Sequence, residues 1–117
     1  MGIGKIGRPV KITSISFNNK GLGEISKIVD SEGAMGTNII VLPETWRGIQ
    51  LETIHGETIR TMSNLAKKHN TYIVCPIFRE AHNKRYNSAI LLGRDGNIIC
   101  VYDKVYPYHE EFNLDPP

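Results

Sequence analysis

The apolar positions of this chain follow two alternating rhythms. Val10 to Phe17, Asn38 to Leu42 and Tyr72 to Phe78 are short runs rich in β-branched and aromatic residues, which predict strands. Between the first two, Leu22, Ile25, Ile28 and Val29 recur at helical spacing. They predict a helix from about Leu22 to Ser31, with Gly33 and Gly36 as its stop. Ile59, Met62, Leu65 and Ala66 repeat that spacing. This second helix should end near His69-Asn70, because asparagine tolerates a left-handed cap. Asn87 to Leu92 and Asn97 to Tyr102 flank Gly93-Arg94-Asp95-Gly96, and Asp-Gly between apolar runs predicts a hairpin. Helices between strands require parallel crossovers, whereas a hairpin is antiparallel, so the expected fold is α/β with a mixed sheet. Each helix carries one apolar stripe. Both are expected to cover a single face of the sheet and leave the other to pack on something else.

Two of the apolar runs end on a charge. Asn38-Ile39-Ile40-Val41-Leu42-Pro43 leads to Glu44, and Ile98-Ile99-Cys100-Val101-Tyr102-Asp103 leads to Lys104. A strand buried on both faces has no solvent side for a charge, so a charge at its carboxyl end tends to face the ligand crevice of an α/β sheet. A glutamate and a lysine so placed suggest a base and a cation suited to hydrolytic chemistry.

Composition narrows the partners. With 14 basic and 12 acidic residues the formal charge is +2, too balanced for a nucleic-acid or membrane footprint. Lys67-Lys68-His69 and Lys84-Arg85 read as solvated faces. Cys75 and Cys100 lie inside apolar runs without a CxxC spacing, and read as reduced core cysteines of a cytoplasmic protein. No stretch has the length of a membrane span, no signal peptide is visible, and the four histidines show no metal-ligand spacing. Gly2-Ile3-Gly4-Lys5-Ile6-Gly7 matches GxGxxG but precedes the first strand, so residues 1–8 are expected to be a flexible tail. The chain closes on Pro116-Pro117, with no helix left for the sheet's second face. Residues 9–117 therefore read as the amino-terminal portion of a larger domain.

Three blocks, in this order, resemble the carbon–nitrogen hydrolase (nitrilase) superfamily: Leu42-Pro43-Glu44; Tyr86-Asn87-Ser88-Ala89 with Arg94-Asp95-Gly96-Asn97; and Tyr102-Asp103-Lys104-Val105-Tyr106-Pro107. The resemblance spans about Val10 to the last residue. It implies the N-terminal part of a four-layer α-β-β-α sandwich and catalysis by a Glu-Lys-Cys set. Glu44 matches the family's general base and Lys104 its catalytic lysine. Glu111, placed through Pro107, matches a second glutamate found in part of the family, with Glu110 the near alternative. The family's nucleophilic cysteine lies on a later strand-to-helix elbow, past Pro117, and neither Cys75 nor Cys100 matches it. The substrate implied is a small amide, carbamoyl compound or nitrile. No metal or organic cofactor is called for, and the intact protein is expected to be a homo-oligomer.

Other readings compete. Glu44 is also explained as a carboxylate capping a following helix through Thr45 and Trp46, Lys104 as a solvated hairpin end, and Glu110 and Glu111 as exposed loop acids. Ile15-Ser16-Phe17-Asn18 followed by Ile39 to Thr45 also resembles the opening of the magnesium-dependent endonuclease/phosphatase sandwich, where an Asn and a Glu hold the metal. Against it, Pro43 replaces the usual glutamine and the lysine block has no counterpart. A third reading is an inactive truncated fragment that binds a partner through its uncovered sheet.

Overall fold

A computed structural model of the chain describes residues 9–15, 21–44, 46–47 and 50–104. Its elements are β1 (Ile12–Ser14), α1 (Leu22–Ala34), β2 (Ile39–Val41), β3 (Leu51–Glu52), α2 (Glu57–His69), β4 (Tyr72–Ala81), β5 (Lys84–Leu92) and β6 (Ile98–Asp103). The strands form one mixed sheet in the order β1-β2-β4-β5-β6, with β3 also paired to β4. β1, β2 and β4 are parallel, in the register Ile12–Ile39–Tyr72. β4–β5 and β5–β6 are antiparallel, so β6 runs in the same direction as β2 and β4.

Both helices lie on one face, as their single stripes require. Ile25 and Val29 of α1, with Ile59, Met62 and Ala66 of α2, close over Ile40, Ile73, Cys75, Ile77, Ile90 and Leu92. Each large side chain so buried contributes about 1.5–3 kcal/mol. Alternation sends Val74, Pro76 and Phe78 to the opposite face. That face is bare at its margins among the described residues: Ile12 is 62% exposed and Tyr102 60%. The described residues therefore form one helical layer on one sheet layer.

Several boundaries differ from the expectation, each for a local reason. The first strand covers only Ile12–Ser14; Ser16 and Phe17, like the 1–8 tail, lie outside the described residues. Helix α1 runs to Ala34, because Gly33 lies within it as a close-approach residue against α2. A Cβ there would sit 2.5 Å from the His69 ring. The turn proper is at Gly36, with φ +81°. Helix α2 ends as expected, on Asn70 in the left-handed conformation. β4 and β5 extend well beyond their apolar runs and join through His82 and Asn83, both at positive φ (53° and 62°). That is a two-residue hairpin turn built without glycine. Cys75 is buried, whereas Cys100 is exposed, contrary to expectation. Cys100 pairs with Leu91, on the face opposite Ile90 and away from the helices, and an apolar run does not reveal which of its faces is covered.

Candidate active site

Glu44 is delivered by the chain that leaves β2. The Leu42 amide still donates to Val74 O (3.1 Å) beside β4, and Leu42 is buried in the core. Pro43 has no amide to continue the ladder, and Glu44 begins a turn. The residues after it are tied down on both sides. The buried Trp46 donates its indole Nε1 to Pro76 O at 2.7 Å. Arg47 Nε donates to Thr58 Oγ1 of α2 at 3.1 Å and lies 3.9 Å from the Glu52 carboxylate.

The Trp46 contact accounts for a proline in the middle of the sheet's longest strand. β2 pairs with β4 only as far as Val74, and β3 starts pairing at Phe78. Val74 and Pro76 face the same edge of β4, so the missing Pro76 amide falls in the gap between β2 and β3, where no strand requires it. The Glu44 turn occupies that gap.

Lys104 leaves β6 just past its end, its amide donating to Asn87 O at 2.8 Å. Directly before it, Asp103 is held by a polar cluster. Arg79 Nη2 donates to both Asp103 carboxylate oxygens at 2.9 Å, and Arg79 Nε donates to Ser88 Oγ at 3.2 Å. Ser88 Oγ in turn donates to Asp103 Oδ1, and the guanidinium lies 4.8 Å from the centre of the Tyr86 ring. Desolvation raises the Asp103 pKa, but the bonds from Ser88 and Arg79 outweigh it, leaving the carboxyl below its ordinary value.

The two strand-end charges meet. Lys104 Nζ lies 3.5 Å from Glu44 Oε1, with the side chains 27% and 54% exposed. β4 and β5 lie between β2 and β6, a backbone separation of roughly 14 Å at ordinary strand spacing, and the two long side chains close it. A partly exposed pair of this kind adds little stability. Its consequence is chemical: a carboxylate able to take a proton sits beside a cation able to stabilise developing negative charge.

Among the described residues the next helix after Glu44 begins at Glu57, with Gly56 as its cap, which gives the capping explanation no helix to act on. Lys104 is half-buried and paired, not a solvated hairpin end. Glu110 and Glu111 lie outside the described residues, as does Asn18 of the magnesium-site reading. Among the described residues no group of three His, Cys, Asp or Glu side chains is placed to hold a metal ion. Cys75 is fully enclosed, and burial, with a smaller contribution from the Glu52 charge, raises its pKa far above the usual thiol range. Such a thiol is a poor nucleophile. The Arg79–Ser88–Asp103 cluster was not anticipated. Its one sequence signal is an aspartate directly before the lysine, at the end of the apolar run Ile98 to Tyr102.

A parallel-and-antiparallel sheet with helices on one face and a Glu–Lys pair at its strand ends defines a class, and comparison with known proteins agrees. The chain belongs to the carbon–nitrogen hydrolase family, whose profile matches residues 14–116. It is 32% identical over 120 residues to a beta-ureidopropionase of Arabidopsis thaliana, covering 86% of this chain and 29% of that protein. It is 29% identical over 115 residues to the omega-amidase NIT2 of Danio rerio, covering 91% of this chain and 39% of that one. The fold matches a crystal structure of an N-terminal amidase with a TM-score of 0.75 at 19% identity, over 91% of this chain and 30% of the other. The chain thus spans well under half the length of these relatives. Family membership displaces the magnesium-phosphoesterase reading.

Proposed function

We propose that this chain supplies the general base, Glu44, and the catalytic cation, Lys104, of an enzyme that hydrolyses small amides, carbamoyl compounds or nitriles through a cysteine thioester, the amide and carbamoyl classes being favoured. The carrying observation is the 3.5 Å approach of Lys104 Nζ to Glu44 Oε1 from strands not adjacent in the sheet. The names of the relatives, an amidase and a ureido-compound hydrolase, support the substrate class. The nucleophilic cysteine is assigned to sequence past Pro117, since Cys75 is enclosed and Cys100 stands mid-strand.

In this reaction Glu44 takes the thiol proton as sulfur attacks the carbonyl carbon, and Lys104 stabilises the oxyanion of the tetrahedral intermediate. Collapse breaks the carbon–nitrogen bond, and the leaving nitrogen takes the proton from Glu44. Water then attacks the thioester, giving its proton to Glu44 or Glu111, and the acid and free thiol are released. No step calls for a metal or organic cofactor. We assign the intact enzyme to the cytoplasm, in keeping with the free thiols of Cys75 and Cys100, and expect it to be a homo-oligomer. Among the described residues no helix is long and apolar enough to cross a membrane.

Ammonia release by the full-length protein tests the assignment. Glu44→Gln and Lys104→Ala should each lower kcat/KM by about 10³-fold or more while the protein stays folded. Near-parental activity in either variant overturns it.

A further inference from the structure

We propose that Arg79 and Asp103 are positioning residues for the Glu44–Lys104 pair: their ion pair, closed by Ser88, locks the register of β6 so that Lys104 projects towards Glu44. The inference rests on the catalytic reading of that pair. Consecutive residues of a strand point to opposite faces, so a slip of one residue would exchange Asp103 and Lys104 between the faces of the sheet.

β6 is prone to such a slip within this layer. Its pairing with β5 already shifts at Leu91/Leu92, where Leu91 faces Cys100 but Leu92 faces Ile98, leaving Ile99 as the extra residue. Apolar packing anchors only its start, at the half-buried Ile98, because Ile99, Cys100, Val101 and Tyr102 are all exposed. What holds the far end is polar. Arg79 of β4 reaches past β5 to grip both oxygens of Asp103, and Ser88 of β5, paired in register with Asp103, bonds both side chains. Arg79 Nη2 bridges both carboxylate oxygens while Nε holds Ser88 Oγ, so the planar guanidinium is fixed at two of its nitrogens and sets direction as well as distance. The grip lies one residue from Lys104, on three adjacent strands.

The test uses the full-length enzyme, with kcat and KM for amide hydrolysis and a thermal melt for each variant. Arg79→Ala and Asp103→Ala should each lower kcat by about 10–100-fold with KM changed by less than about threefold, the cost of misplacing a reacting group by roughly an ångström. The double variant should lose no more than the worse single, since the two act as one device. Asp103→Asn, which retains a partner for Ser88, should show a smaller loss of the same kind and serves if the alanine variants do not fold. Asp30→Ala, which removes an ion pair between the helices, should lower the melting temperature and leave kcat unchanged. Arg79 and Asp103 variants that behave like Asp30→Ala, or single losses that multiply in the double variant, overturn the proposal. If Glu44→Gln and Lys104→Ala are inactive while the Arg79 and Asp103 variants keep full kcat, this inference alone fails. If Glu44→Gln and Lys104→Ala are active, the catalytic reading fails and takes this inference with it.

Discussion

Gly33→Ala should destabilise the protein, although alanine is the better helix former. At an open helical position the exchange gains about 1 kcal/mol. Gly33 is not open. A Cβ there would lie 2.5 Å from both Cγ and Cδ2 of His69 and 2.9 Å from its Cβ, whereas carbon contacts settle at roughly 3.5–4 Å. Helix or ring must therefore move by about 1 Å. The ring has little freedom to do so: the His69 side chain is 11% exposed and its Nε2 sits 2.6 Å from Asp30 Oδ1. Overpacking of this kind costs about 1–3 kcal/mol, and loss of the His69–Asp30 bond about 0.5–1.5. Set against the helical gain, the net effect is a loss of about 1–3 kcal/mol.

Gly23, in the first turn of the same helix, has open space where a Cβ would stand, with nothing within 4 Å, so Gly23→Ala should stabilise by about 0.5–1 kcal/mol. Urea denaturation of the two variants and the parent, compared at unchanged m-value, reads both signs at once. A Gly33→Ala midpoint at or above the parent's would refute the close-approach reading.

Buried and paired groups give two more tests. Cys75 should resist alkylation in the native protein up to pH 9 and react only as fast as the protein unfolds; Cys75→Ala should cost about 1–2 kcal/mol while activity is retained, and rapid native-state labelling would contradict its burial. Asp103 has a depressed folded pKa, so its stabilising contribution is complete above the unfolded carboxyl value near about 3.9 and is lost as pH falls through the folded value. The deficit of Asp103→Asn in denaturation midpoint should accordingly be flat from pH 8 to 5 and shrink below about pH 4, and a deficit that varies between pH 5 and 8 would contradict this.

The layer order was legible because burial writes itself into spacing. Ile59, Met62 and Ala66 are all buried in α2, and Asn70 caps it as its side chain allows. The strand-end charges were legible for the complementary reason: Glu44 and Lys104 interrupt apolar runs where nothing local accounts for them. What escaped the sequence was set by partners in space. Gly33 looks like any helix stop until His69 is placed against it. β4 and β5 continue through Arg79, Glu80, Lys84 and Arg85, charged residues that conceal a strand from any hydrophobic pattern. The turn between them uses His82 and Asn83 where glycine would have announced it. Arg79 acquires its meaning only from Asp103, which is remote in sequence and two strands away.

The order in which the sheet is wired also governs when the Glu–Lys pair comes into being. β4, β5 and β6 form a meander of neighbours joined by tight turns, the kind of local pairing that closes in microseconds. β1 and β2 reach β4 only through parallel crossovers that carry a helix each, and such contacts form late because long loops must first be closed. Lys104 belongs to the early unit and Glu44 to the late one. On this order their encounter comes late, and a partly assembled chain holds Lys104 in its place without Glu44.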